Sequence, residues 1–213
     1  RNDLFDVVIA PKHDRLSGDN VIETLGSLNP IDDNWLDQGR RRFSQLGGLS
    51  SPRTGVLIGA TTTTVSLDDE FFSSLLTMLG ELHALNGGSF LVSTSRRTPP
   101  DRINRLRSEF QRWPGVFWGG SVNGENPYAG ILAWSDRIIV SPDSVNMISE
   151  ACATGKPVAP FASKPLVGKL ALFHQALRAG GYLADAKPAV PAQVLRETAS
   201  VAAQVRQRLL SRN

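Results

Sequence analysis

Short apolar runs alternate with amphipathic segments along most of this chain. Four of these runs, residues 56–59, 89–93, 115–118 and 137–140, have the length and composition of buried strands. The clearest helical segment is Asp69–Asn86, where apolar residues recur at positions 71, 72, 75, 76, 79, 82 and 85. Apolar strands that alternate with helices are typical of parallel βαβ units. We therefore predict an α/β fold with a doubly wound parallel sheet.

The rest of the chain predicts a first strand, a linker, a last strand and six further helices. Residues 4–10 form another apolar strand candidate, whereas residues 21–30 are polar enough to be irregular. Residues 47–54 are rich in Gly, Ser and Pro and mark a predicted linker. Because Arg1 stands directly before a strand, we expect a missing upstream part. Further predictions are a strand at 157–161 and helices at 32–46, 100–113, 127–134, 145–154, 164–179 and 191–212.

Composition limits the classes of protein and partner. The 213 residues are 41% hydrophobic and 20% charged, which is typical of a soluble globular protein. The net charge is only +3 and the basic residues are scattered, so we interpret 40–42 as a solvated helix end and predict no nucleic-acid partner. The single cysteine, Cys152, fits a reducing compartment, and no apolar run approaches a membrane span. We expect a cytoplasmic location.

The turn at 141–144 is the strongest candidate site. It lies between a predicted strand and a predicted helix, and it contributes the carboxylate of Asp143 and the hydroxyl of Ser144. Helix N-termini offer unpaired N–H groups and partial positive charge, which suit phosphate. Glu150 is the only carboxylate on this helix. A strand, a polar turn and one acid predict a nucleotide site here.

Other polar residues follow neighbouring strands. Gly59 and Thr61 follow one strand, and Ser95 and Arg96 follow the next. Arginine binds phosphate through a planar fork, although a charged surface turn would show the same residues. His13 and Asp14 follow the first predicted strand. They are either a general base with its partner at the ligand crevice or ordinary residues of a solvated loop.

The carboxyl ends of parallel strands share one sheet edge, so most of these loops should meet. Hydroxyls and helix N-termini can hold a diphosphate, and a carboxylate can accept from ribose hydroxyls. We predict a nucleoside diphosphate or nucleotide sugar as the ligand. A dinucleotide-binding fold is the competing interpretation, but no Gly-x-Gly-x-x-Gly follows any strand. There is no Walker A motif and no His/Cys spacing suited to a metal, so we predict no cofactor and no metal.

Several stretches resemble known families. Residues 126–136, 141–151 and 155–158 resemble the C-terminal domain of glycosyltransferase-B folds. The whole chain resembles the mitochondrial-fission-protein family shared by bacteria and plants, with further matching stretches at residues 5–14, 18–26, 95–99 and 168–174.

This resemblance implies two Rossmann-like lobes with a cleft between them. Residues 1–50 would be the C-terminal part of an incomplete N-terminal lobe with its linker. Residues 51–213 would be the nucleotide-binding lobe, with a final helix that packs back on the first. Glu150 would contact the ribose, and the loops at Gly59, Ser95 and Ser144 would lie near the diphosphate. One departure is the loop after the first strand of the second lobe, Gly-Ala-Thr-Thr-Thr-Thr, which lacks a basic residue.

The resulting hypothesis is a glycosyltransferase-like enzyme in which His13 or Asp14 deprotonates an unidentified acceptor. The alternatives are a non-catalytic interaction protein that keeps the fold, with peripheral membrane association through its last helix, and a nucleoside-diphosphate-sugar epimerase.

Overall fold

Five parallel strands form the main sheet in this computed structural model, which describes residues 4–185 and 193–210. The strand order is β5-β4-β3-β6-β7, and β1 and β2 form a separate parallel pair. The strands are β1 Val8–Pro11, β2 Val21–Thr24, β3 Arg53–Ile58, β4 Ser89–Thr94, β5 Gly115–Trp118, β6 Arg137–Val140 and β7 Val158–Pro160. The predicted parallel α/β fold is confirmed.

Helices connect the strands and cover the sheet. The α-helices are α1 Asp33–Arg42, α2 Asp69–Asn86, α3 Pro100–Phe110, α4 Tyr128–Trp134, α5 Val145–Cys152, α6 Gly168–Ala179 and α7 Thr198–Leu210. Short 3-10 helices lie at Lys12–Asp14, Ser44–Gly48 and Ser121–Asn123. Aspartates begin two of the long helices: Asp32 accepts from the Trp35 N–H at 2.7 Å and Asp68 from the Phe71 N–H at 2.9 Å. Each satisfies an N–H group that the helix itself leaves unpaired.

The central strands are buried on both faces, as their continuous apolar runs require. On β3, Leu57 packs into a cluster with residues of α4, α5 and α6. Its neighbours Val56 and Ile58 point to the opposite face and pack with residues of α2 and α3. Successive side chains on a strand alternate between faces, so one strand supplies both cores.

Several predictions need correction, among them the linker at 47–54, which overlaps the 3-10 helix Ser44–Gly48 and the start of β3 at Arg53. The first strand begins at Val8 rather than residue 4, and residues 21–24 form β2 rather than an irregular segment. In β2 the side chains of Ile22 and Thr24 are buried whereas those of Val21 and Glu23 are not, which is the alternation of a half-covered strand. Helix α4 begins at Tyr128, with Pro127 as its N-cap. Helix α6 begins at Gly168, after a loop that contains Pro165.

The final helix begins at Thr198, because residues just before it bind other parts of the chain instead. The predicted ends at 191–192 and 211–212 lie outside the described residues. Glu197 accepts backbone hydrogen bonds from Leu25 and Gly26 at 2.8 and 2.9 Å, and the Leu195 N–H donates to the Cys152 carbonyl at 3.1 Å. The segment before α7 therefore joins the loop after β2 to the end of α5.

Helices α1 and α4 also join the first fifty residues to the rest. A Cβ at Gly39 would lie 2.7 Å from the Ala129 carbonyl oxygen, and Gly130 faces the ring of Phe43. Glycine at both positions lets the two helices approach closely. The division into two lobes at residue 50 stays a prediction.

Candidate functional site

Strands β3 and β6 are adjacent, and the chain leaves them in opposite directions across the sheet. Such a switch point opens a crevice at the carboxyl ends of the strands, where α/β sheets bind ligands. Three loops meet there. The Ser95 N–H donates to the Ile58 carbonyl at 2.7 Å, and the Ser141 N–H donates to the Leu57 carbonyl at 2.9 Å. The Thr98 hydroxyl donates to the Gly59 carbonyl at 3.1 Å.

A carboxylate binds the loop after β3 from within the protein. The Gly59 N–H donates to the Ser141 hydroxyl at 2.7 Å, and that hydroxyl donates to one oxygen of Asp143 at 2.6 Å. The other oxygen of Asp143 accepts from the Ala60 N–H at 3.0 Å. A Cβ at Gly59 would overlap this carboxylate. This loop was predicted to lie near the diphosphate, but its Gly59 and Ala60 N–H groups already donate to acceptors within the protein, Ser141 and the Asp143 carboxylate.

Two of the predicted hydroxyls also have partners within their own loops. Thr61 accepts from the Leu67 N–H at 3.0 Å, and Ser95 accepts from the Arg97 N–H at 3.2 Å. The side chain of Arg96 is exposed. It is the next residue, Arg97, that lines a cavity of about 400 Å³ together with Gly59, Ala60, Thr61, Leu67, Phe72, Thr98, Pro99, Asp101 and Arg102.

Ser144, the last residue of the predicted turn, is the N-cap of α5. Its hydroxyl accepts from the Met147 N–H at 3.3 Å. By helix geometry the N–H groups of Val145 and Asn146 precede the first intrahelical hydrogen bond. They remain the backbone donors at this edge that suit an anion.

Glu150 lies on α5 and pairs with a residue that the sequence did not single out. The Tyr128 hydroxyl, from the first turn of α4, donates to Glu150 at 2.5 Å. Burial raises the pKa of Glu150 above its usual value, although the hydrogen bond from Tyr128 opposes this. Burial, and then the Glu150 charge, raises the pKa of Tyr128 well above its usual value. The position of Tyr128, just after the loop that follows a strand, was the one signal available.

His13 and Asp14 lie apart from these loops, on the 3-10 helix after β1 and against α6. Asp14 pairs with Lys169 at 2.9 Å. The His13 ring packs edge-on against Phe173, with 5.3 Å between ring centroids. Burial lowers the pKa of His13, which favours a neutral imidazole. Its Nδ1 atom is buried and has no hydrogen-bond partner in the described part of the chain.

Helix α6 is the element that lies between His13 and the turn after β6. His174, the neighbour of Phe173, is within 2.9 Å of the Pro142 carbonyl through its Nε2 atom. Burial lowers the pKa of His174 as well. His13 thus packs against α6 from the 3-10 helix after β1, and His174 joins α6 to the turn after β6.

Lys156 is another group that the sequence did not single out. Its ammonium donates to the carbonyls of Leu132 and Ala133 at 2.6 and 2.7 Å, at the end of α4. Burial lowers the pKa of Lys156 to about 7. A lysine that satisfies terminal carbonyls of a helix has a structural role here.

Residues 4–185 and 193–210 have neither a metal-binding cluster nor a membrane-spanning helix. They contain no cluster of three or more His, Cys, Asp or Glu side chains suited to a metal ion. None of their helices has the length and apolar character needed to span a bilayer.

A family model for mitochondrial fission ELM1 matches residues 1–209. The chain belongs to this family. The ELM1 protein of Arabidopsis thaliana, "Mitochondrial fission protein ELM1", is 29% identical over 243 residues, which cover 98% of this chain and 55% of the plant protein. The predicted family is confirmed.

Solved structures extend the comparison of this ELM1-family chain to its fold. Os79 from O. sativa, in complex with U2F and trichothecene, is 17% identical with a TM-score of 0.50, over 92% of this chain and 48% of Os79. UDP-GlcNAc 2-epimerase from Neisseria meningitidis, bound to UDP-GlcNAc, is 15% identical with a TM-score of 0.46, over 93% and 48% of the two chains. The chain has a glycosyltransferase-B-like fold and spans about half the length of these relatives.

Proposed function

We propose that this ELM1-family chain binds a nucleoside diphosphate or nucleotide sugar at the carboxyl edge of its five-stranded sheet, and that the whole protein is glycosyltransferase-like. The observation that carries the proposal is the arrangement of α5. This helix begins beside the switch point between β3 and β6, with Ser144 as its N-cap. It then holds the half-buried carboxylate of Glu150 on the same short helix.

The phosphates would bind at the first turn of α5. The N–H groups of Val145 and Asn146 and the helix dipole favour negative charge at this point. Asp143 already accepts from the Ala60 N–H, so the β3 loop would contribute little to phosphate binding. Positive charge would come from Arg97, which lines the neighbouring cavity beside Thr98. This division assigns the phosphates to α5 and the β4 loop.

The ribose would bind at Glu150. Glu150 follows Val145 by five positions of α-helix, a rise of about 7.5 Å, which is on the scale of the distance from a phosphate to the ribose hydroxyls of one nucleotide. The Tyr128 hydroxyl uses one acceptor site of the carboxylate, and an ionised carboxylate has about four. Glu150 thus keeps acceptor capacity for the two hydroxyls of a ribose.

His13 is the proposed general base. A neutral imidazole has one unprotonated ring nitrogen, which can take a proton from an acceptor hydroxyl. The acceptor oxygen would then form the new glycosidic bond while the bond from the sugar to the diphosphate breaks. Asp14 pairs with Lys169, so its contribution would be to fix the 3-10 helix that carries His13.

A thermal-shift panel of UDP, GDP, ADP, CMP and their sugars tests the binding proposal. A ligand that binds the folded state raises the unfolding temperature by mass action. We expect at least one nucleoside diphosphate to do so, and Glu150→Ala to weaken its binding at least about tenfold, the loss of one charge-assisted hydrogen bond. Glu81→Ala, an exposed acid on α2, is the matched control and should bind normally.

The proposal fails if no nucleotide in the panel stabilises the protein, or if Glu150→Ala binds as tightly as the Glu81→Ala control. Unchanged turnover in both His13→Ala and Asp14→Ala, once an acceptor is found, would refute the assignment of the base while leaving the nucleotide site intact.

A further inference from the structure

A second cleft lies on the other side of α6, between this helix and the segment from β1 to β2. Its volume is about 610 Å³, within the range of small-molecule sites. The lining residues are Lys12, His13, Arg15, Leu16, Ser17, Glu23, Leu172, Gln175, Ala176 and Ala179. None of the residues predicted to bind the nucleotide is among them.

The floor of the cleft is one face of α6. Leu172, Ala176 and Ala179 recur at helical spacing and line the space, whereas Phe173 and Leu177 on the adjoining face are fully buried in the core. Two alanines in this row leave room above the helix that longer side chains would fill. The floor therefore suits the apolar body of a ligand.

The rim is cationic. Lys12 and Arg15 both line the cleft, and neither forms a salt bridge with an acid in residues 4–185 or 193–210. Glu23 is the one carboxylate in the lining, so the two cations outnumber it. Lysine and arginine without an acidic partner are available for an anionic group of a ligand.

Two features set this rim apart from an ordinary charged surface. Arg15 has φ of 54°, and it is the only non-glycine residue with positive φ in the described ranges. An L side chain in the left-handed region is strained, and such strain clusters at ligand sites. The second feature is the buried Nδ1 atom of His13, which lacks a partner in the described structure and belongs to a residue that lines the cleft.

We propose that this cleft binds an organic anion, a phosphate ester or carboxylate with an apolar body. Arg15 and Lys12 would bind the anionic group, His13 in its Nδ1–H tautomer would donate a hydrogen bond to it, and Leu172 and Ala176 would contact the apolar body. The residues proposed to bind the phosphates and the ribose lie outside this cleft, and His13, the proposed base, is the residue that the two proposals share.

Isothermal titration with n-hexyl phosphate tests this site, with inorganic phosphate and hexanol as probes of each half alone. We expect hexyl phosphate to bind more tightly than either. Arg15→Gly should weaken it about tenfold, as for one charge-assisted hydrogen bond, while raising the unfolding temperature because glycine relieves the strain. Ala176→Leu should weaken it by filling the floor. Arg206→Ala, an exposed arginine on α7, is the charge control.

Vesicles that contain phosphatidylglycerol form the second arm and identify the source of the anion. Arg15-dependent binding to vesicles would assign the site to a lipid, and Arg15-dependent binding of soluble hexyl phosphate alone would assign it to a soluble metabolite. Equal binding by Arg15→Gly and Arg206→Ala in both arms would overturn the proposal. Competition by UDP would also overturn it, because the site would then be the nucleotide site. Glu150→Ala should leave hexyl phosphate binding unchanged, so failure of one proposal is distinguishable from failure of the other.

Discussion

Asp143→Ala gives the most informative perturbation of the switch point. The carboxylate accepts from the Ala60 N–H at 3.0 Å and from the Ser141 hydroxyl at 2.6 Å, and Ser141 in turn accepts from Gly59 at 2.7 Å. Hydrogen bonds to a charged group contribute about 1.5 to 3 kcal/mol each. Because Asp143 is half-buried, water can replace part of the loss. We expect the free energy of unfolding to fall by about 2 to 4 kcal/mol.

Urea unfolding followed by circular dichroism and tryptophan fluorescence measures this change. In a protein of this size a loss of 2 to 4 kcal/mol lowers the unfolding temperature by roughly 5 to 15 °C. Asp143→Asn should lose about half as much, because its amide oxygen can still accept from Ala60 while its NH₂ group cannot accept from Ser141.

A double-mutant cycle with Gly59→Ala isolates the contact. The added methyl group overlaps the carboxylate, so Gly59→Ala should be strongly destabilising alone and much less so in the Asp143→Ala background. A change in stability below about 0.5 kcal/mol for Asp143→Ala, or strict additivity in the cycle, would refute the role of Asp143 as the internal partner of this loop.

Three further perturbations have defined outcomes. The raised pKa of Glu150 means that its buried carboxyl stabilises the fold at low pH and loses this contribution as pH rises through the folded value. Relative to wild type, Glu150→Gln should therefore gain stability from pH 4 to 8, and a pH-independent difference in thermal unfolding would contradict this. Lys156→Met loses both donors to α4, and because its folded pKa is about 7 and its usual value 10.5, the deficit in unfolding free energy should widen from pH 7 to 10.5. A deficit that narrows over this range would refute the burial of the ammonium. Glu197→Gln weakens the contacts to Leu25 and Gly26, so hydrogen exchange at these amides should accelerate roughly tenfold, and unchanged exchange would show that other contacts hold the loop.

Local sequence signals predicted the elements whose structure depends on local chemistry. The predicted bounds of α2 and of β6 coincide with those observed, because Asp68 caps a strongly periodic helix and Ile138–Val140 is apolar on both faces. Strand β2 was missed because Thr24 is polar yet only 3% exposed, so the chain showed no apolar alternation. The pairing of β2 with β1 depends on tertiary structure, which the local sequence does not show.

In the candidate site as well, local features could be predicted from the sequence, whereas contacts between distant elements could not. The position of Ser144 as an N-cap follows from neighbouring residues, so the sequence could predict it. The Tyr128–Glu150 hydrogen bond joins residues from two helices, and the Asp143–Ala60 bond joins loops after two different strands. Residue types alone indicate only which groups could bind phosphate or sugar hydroxyls. Only the packing shows that Asp143 already bonds to the loop predicted to receive phosphate.

Site-resolved NMR tests the central claim most directly. In a titration of the ¹⁵N-labelled, deuterated protein with UDP, or with whichever nucleoside diphosphate gives the largest thermal shift, we predict saturable shifts of the amides of Val145, Asn146 and Glu150. The amides of Lys12 and Arg15 in the second cleft should not move. No saturable shift at α5 with any nucleoside diphosphate, or shifts confined to the second cleft, would contradict a nucleotide site at the carboxyl edge of the sheet.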